Sequence, residues 1–416
     1  MRPTSLLLSL GFAVLLGASS ALAGTDEVTT TGGQVVKGEV IEENAEEVQI
    51  RPIGGGTMTF QREKVKHIKW DISHQPASYH RAKRLFESRQ WDPAATTYEI
   101  ALEDRNLRDL LKPYVYKNLA ICYTHLSQSR HLTRKEADEY AKKAITAWEA
   151  VRGARGGKSP LLAEAIDKLV DIKMRLGKYD EVLKLLPDLE KLGKSHRGKA
   201  SLLRASVQEA KRDFEAALEA YARVLERYED DAALVNGARA GLVRCNLARN
   251  DPQAAEREAK RLLGAKPPPT DMAAAMAHLA LGKLALVRLG ARITAGRLTF
   301  DDRVIAAKIR LKKPETSPSG ATRYYHKDMD AALLELLRPV VQYKADAQTE
   351  AEAAYLAARC FDLINVVVKD RSEKDAPKEA ARHRNRAIEL YDLLQRRRFN
   401  GLPWQKLAKD RRSLVR

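Results

Sequence analysis

"RLFESRQWDPAATTYEIAL", residues 84–102, sets Trp91, Ala94, Tyr98 and Ala101-Leu102 at steps of three, four and three. At 3.6 residues per turn these side chains stack on one helix face. Small residues among aromatic ones on that face predict a second helix packed very close. The spacing recurs in "RLGKYDEVLKLLPDL" (175–189), "KRDFEAALEAYARVL" (211–225), "NDPQAAEREAKRLL" (250–263), "EADEYAKKAI" (136–145) and "NRAIELYDLL" (385–394). An apolar helix precedes each, around Leu119–Tyr123, Leu169–Ile172, Leu202–Val207, Leu242–Cys245, Leu279–Leu286 and Ala353–Phe361. From about residue 76 onward the chain reads as a succession of helix pairs.

These pairs resemble the tetratricopeptide repeat, a helix-turn-helix unit of about 34 residues. "LALG" at 279–282 is similar to the Leu-Gly pair of that family's first helix, and "GKYDEVLKLL" and "RDFEAALEAY" to its turn and second helix. The resemblance covers residues 76–397 as about seven units and implies an α-solenoid, because no single hairpin buries its own apolar face. The units are interrupted by "SRHLTRK" (129–135), by a large insertion at about 291–327, and around "KDRSEKDAPKE" (369–379).

Residues 24–72 follow a different period. Val36-Gly38-Val40, Val48-Ile50, Met58-Phe60 and Val65-Ile68 alternate, separated by Gly32-Gly33, Glu43-Asn44 and Gly54-Gly55-Gly56. That pattern predicts four or five short strands. It resembles the small SH3-like or Sm-like barrels at the front of exported bacterial proteins. Ahead of it, Arg2, the apolar run "LLLSLGFAVLLGASS" and "ALA" at 21–23 predict a signal peptide, residues 1–23, cut after Ala23. The expected organisation is therefore a mainly α protein: leader 1–23, small β-barrel 24–72, helical solenoid 76–397, and a basic C-terminal tail 398–416. The expected location is periplasmic or secreted.

The formal net charge is +18. The excess is uneven, with twelve Lys/Arg against four Asp/Glu over 378–416 and nine against three over 291–327, whereas the β module is acidic. After export, nucleic acid is not the expected partner. Anionic lipid or an acidic envelope polymer fits the charge better.

No residue pattern points to catalysis or to a metal. "RGARGGKSP" (152–160) lacks the first glycine of a phosphate loop and follows a helix rather than a strand. The histidines are scattered, no Cys-x-x-Cys occurs, and no cofactor is expected. Cys122, Cys245 and Cys360 occupy one slot in three units and read as buried thiols. The resemblance implies that first helices line a concave groove for a protein or peptide partner. It places Tyr114, Lys117, Asn118 and Ile121 of the second unit, Asp167, Lys168 and Asp171 of the third, and Arg244 of the fifth on that groove. The expected function is a non-enzymatic interaction scaffold or adaptor in the cell envelope. The alternatives are an envelope-binding protein that docks through its basic segments, or an accessory subunit of an envelope enzyme.

Overall fold

A computed structural model describes residues 25–129, 132–294, 297–316 and 322–415. The leader 1–23 and Gly24 lie outside the described residues. The chain divides into two compact units at Leu176/Gly177.

The first unit opens with five antiparallel strands, β1 (Asp26–Thr30), β2 (Val35–Glu43), β3 (Glu47–Pro52), β4 (Met58–Gln61) and β5 (Val65–Lys69), in the order β4-β3-β2-β1-β5. Alternation puts Val28, Val36, Val40, Val48, Ile50 and Val65 in one buried cluster, which Leu110 from the helical part completes. Gly38 is required on β2, since a Cβ there would lie 2.0 Å from the carbonyl oxygen of Arg51 on β3. The expected barrel is not closed. Bulges at Thr29/Thr30 and Val40/Glu42 bend the sheet. But β4 has only four residues, three of them exposed, and is paired only with β3. A single turn of 3₁₀ helix, Arg62–Lys64, carries the chain from it into β5, and the two edge strands share no ladder.

Five helices follow: α1 (Ala77–Glu87), α2 (Trp91–Glu103), α3 (Lys112–Ser127), α4 (Arg134–Gly157) and α5 (Leu162–Arg175), each packed on the one before it. The sheet is fastened to them by polar contacts. Arg108 Nη1 donates to both oxygens of the buried Asp26 carboxylate at 3.1 and 2.8 Å, and Asp26 also accepts the amides of Val40 and Asp71. The phosphate-loop-like stretch is the end of α4, where Arg155, Gly156 and Gly157 turn left-handed.

The second unit contains α6 (Tyr179–Lys191), α7 (Lys194–Ala210), α8 (Phe214–Arg227), α9 (Ala232–Ala248), α10 (Pro252–Leu263) and α11 (Asp271–Arg288). The insertion follows, as the hairpin β6 (Arg292–Thr294) and β7 (Arg297–Thr299), then α12 (Asp302–Ile309), β8 (Arg310–Thr316) and β9 (Thr322–Tyr325). The unit ends with α13 (Lys327–Val341), α14 (Ala347–Lys369), α15 (Ala376–Leu393) and α16 (Pro403–Arg412). Outside the insertion, successive helices pack as hairpins, and α9 also packs on both α7 and α11. That is the stacking of tetratricopeptide-like repeats.

Both ends of the expected motif are visible. Ala94, Ala217 and Ala387 have no exposed surface, nor do Tyr98, Tyr221 and Tyr391 one turn on. Arg89, Gly177, Arg212 and Asn250 are all left-handed, each two residues before the helix start at Trp91, Tyr179, Phe214 or Pro252. One turn geometry thus recurs with unrelated residues in it. The described part of the basic segment, residues 398–415, is folded rather than extended. Phe399 and Ala408 are fully buried, and α16 packs on α14 and α15. All three cysteines are buried and free, with burial pushing each thiol up to about 12. No helix among the described residues is long and apolar enough to cross a membrane.

Candidate functional site

In the second unit α7, α9 and α11 lie side by side, and small residues decide what their shared face becomes. Gly237 lets Leu202 of α7 approach α9 so closely that a Cβ would lie 2.9 Å from its Cδ2. The shared face is lined by Ala233, Gly237 and Ala240 of α9, Leu202 of α7, Met272 and Met276 of α11, and Pro267 and Pro268 between α10 and α11. The result is a groove of about 450 Å³. Asp231 and Thr270 accept the first free amides of α9 and α11, which anchors both helices where the groove begins.

Asn236 lines this groove and is 7% exposed, and its Oδ1 has no hydrogen-bond partner. A buried amide oxygen left unbonded is costly, on the order of 1–3 kcal/mol, and calls for a donor. Arg244, two turns further along α9, is already occupied. Its Nε and Nη2 donate to the two Glu209 oxygens at 2.5 and 2.8 Å, and its Nη1 lies 3.7 Å from the Met276 sulfur. Tyr221 donates to the same carboxylate at 2.7 Å, with Ser206 3.1 Å from its hydroxyl. Burial opposes the guanidinium charge, but pairing with Glu209 holds its pKa above the ordinary arginine value. Arg244 is therefore a fixed cation that braces one wall, with a third of its side chain at the surface.

The residues of the first unit lie elsewhere and most are engaged. Tyr114 donates to the Glu43 carboxylate at 2.7 and 2.8 Å and meets Trp70 edge-on at 5.8 Å, so its hydroxyl fastens α3 to the sheet. Burial raises the pKa of Glu43 against the opposing effects of Tyr114 and Arg62. Lys117 pairs with Glu164 of α5 at 2.8 Å, and Asn118 donates to the Tyr98 hydroxyl at 3.0 Å. Ile121 and Asp167 are half-buried, and Lys168 and Asp171 are exposed. Asn236, Met272 and Met276 were not among the expected positions. The signal available for them was a polar residue eight positions before Arg244 on one helix face, opposite two methionines four apart.

A pocket of about 600 Å³ between α7 and α8 is larger and more basic. Its Arg204 pairs with Glu190, its Arg223 with Glu219 at 3.5 Å, and Arg227 lies over the Tyr228 ring. Its polar groups are largely satisfied within the chain, whereas the groove carries an unmet one. No cluster of His, Cys, Asp and Glu able to hold a metal ion occurs among the described residues.

No family model and no curated protein matches the chain. Among solved structures, it is similar to a tetratricopeptide repeat protein from Parabacteroides merdae ATCC 43184, with 11% identity over 81% of this chain and 97% of that one, at a TM-score of 0.46.

Proposed function

We propose that the chain is a non-catalytic interaction scaffold whose α7–α9–α11 groove takes an extended segment of a partner protein. The carrying observation is the unpartnered Asn236 oxygen in a groove lined mostly by apolar side chains, whose cation, Arg244, is already paired with Glu209. A peptide offers what this surface needs, a backbone N–H for Asn236 and apolar side chains for the space beside Met272 and Met276. Methionine walls adapt to varied anchors, which suits a scaffold.

The leader-like residues 1–23 support export, and so a partner in the periplasm or outside the cell. The SH3-like sequence pattern of residues 24–72 supports an accessory docking module beside the helices. Binding to anionic lipid or polymer is the weaker reading, because several cations of the basic C-terminal segment are satisfied internally. Arg398 pairs with Glu350, Arg411 with Asp362 and Arg412 with Asp392. Nucleic acid has no place in this reading.

The test is selection from a random 12-residue phage-displayed peptide library on the wild type and on Met276→Glu. The wild type should enrich peptides sharing spaced apolar anchors, and Met276→Glu should lose them. Equal recovery of the same peptides by both proteins would move the function away from this groove.

A further inference from the structure

On α9 the face turned to the groove is open, but on α14 every residue from Ala353 to Asn365 is buried. Burial on all sides is ordinary for an apolar helix, yet α14 buries Arg359 and Asp362 among these residues, with Glu352 one turn before Tyr355. Such charges belong on a solvated face. Each is instead met by a residue from another element: Glu352 by Lys283 of α11, Arg359 by Asp302 of α12, and Asp362 by Arg411 of α16 at 2.8 Å. Arg411 also reaches Asp302, at 2.9 Å.

α12 is thus a short helix seated on α14. Asp302 is its ionic anchor, and Ile305 and Ile309, both without exposed surface, follow at i+3 and i+7. That is the anchor spacing by which a helix lies in a groove. Phe300 extends the contact, with the Arg359 guanidinium 4.8 Å from its ring centre. α11 and α13 pack directly, closely enough that a Cβ on Gly282 would sit 2.6 Å from Leu336 Cγ.

We infer that α12 is an internal helical ligand occupying a docking face on α14, and that a partner helix carrying Asp-x-x-Ile-x-x-x-Ile chemistry competes for the same face. An acidic residue takes the place of Asp302 between Arg359 and Arg411, and two aliphatic residues replace Ile305 and Ile309. The tether favours the internal helix, since a linked segment acts at an effective concentration of order 1 mM. This face is separate from the α7–α9–α11 groove, and each can fail its test without the other.

The experiment uses a fluorescein-labelled peptide of residues 300–310, FDDRVIAAKIR, with the full chain and with a double variant, Asp302→Ala and Ile305→Ala. The double variant should bind the peptide about tenfold or more tightly than the wild type, because its own helix competes poorly. A peptide carrying the same two substitutions should bind neither protein. In the wild type, hydrogen exchange should be faster in α12 than in α14. A double variant that keeps its helical signal but binds no peptide would overturn the inference. So would α12 amides that exchange as slowly as those of α14, or a double variant that fails to fold, since α12 would then be a fixed part of the core.

Discussion

Gly241→Ala probes how closely the second helix of one repeat approaches the first helix of the next. Gly241 on α9 faces Tyr221 of α8, and a Cβ there would lie 2.2, 2.4 and 2.5 Å from the ring carbons Cζ, Cε2 and Cε1. Ordinary contact begins at 3.4 Å, so the ring would have to retreat by about 1.2 Å. Tyr221 has no exposed surface, and its hydroxyl is held by Glu209 and Ser206, so it cannot swing aside without disturbing the Arg244 network. Overpacking by a methyl group costs about 1–3 kcal/mol. The helix propensity of alanine returns about 1 kcal/mol of that. Because the ring is held, the cost falls at about 2–3 kcal/mol, the upper part of that range, and the expected net loss is about 1–2 kcal/mol. Gly237→Ala is the matched control on the same helix. Its Cβ would press only on the end of the Leu202 side chain, which is partly exposed and can turn away. That variant should be neutral or up to about 1 kcal/mol more stable. Urea unfolding followed by far-ultraviolet circular dichroism compares the three midpoints. A Gly241→Ala midpoint at or above wild type, or equal shifts in both variants, would refute the packing argument.

Two further substitutions follow from the backbone and from burial. Arg212 is held left-handed at φ 65°, a conformation that costs a non-glycine residue about 1–2 kcal/mol, so Arg212→Gly should raise the urea midpoint by the equivalent of about 0.5–1 kcal/mol after the entropy of glycine is set against it. His383 projects from α15 against α14 and β9, stacked on Phe361 and edge-on to Tyr325, with Nδ1 unpartnered and Glu379 3.9 Å from Nε2. Burial lowers its pKa to about 4, and Arg386 and Arg382 add to the shift. The folded-state value lies below the unfolded value of about 6.5, so its contribution is complete above pH 6.5 and is lost as pH falls toward 4, about 3 kcal/mol in all. His383→Gln should flatten that part of a pH series of urea midpoints, and an unchanged slope would assign the acid sensitivity to other groups.

The repeat was legible because its determinants are local. Ala94, Ala217 and Ala387 each stand four residues before a tyrosine, Tyr98, Tyr221 or Tyr391, on the same helix, so the small and large members of the buried face are read together, and all six are fully buried. The β module was legible strand by strand, but its failure to close depends on the length of β4 and on a turn, which alternation does not encode. The C-terminal segment read as a basic tail because its cations stand out in sequence. Their partners, Glu350, Asp362 and Asp302, are remote in the chain, and only tertiary structure pairs them. Arg244 was legible as a polar position on a first helix, but its bidentate hold on Glu209 was not. Asn236 went unnoticed because an asparagine among Ala and Gly residues carries no mark of being buried without a partner.

The most direct test of the groove is calorimetric titration of a library-selected peptide into the wild type and Asn236→Ala, at about 0.1 M and about 1 M salt, where the Debye length falls from about 10 Å to about 3 Å. The wild-type Kd should change by less than about threefold between the two salt levels, because apolar anchors and one neutral hydrogen bond are not screened. The Kd of Asn236→Ala should be about five- to tenfold weaker, the equivalent of one net hydrogen bond of about 1 kcal/mol. Equal affinity for the two proteins, or binding that collapses at high salt, would contradict the proposed binding mode.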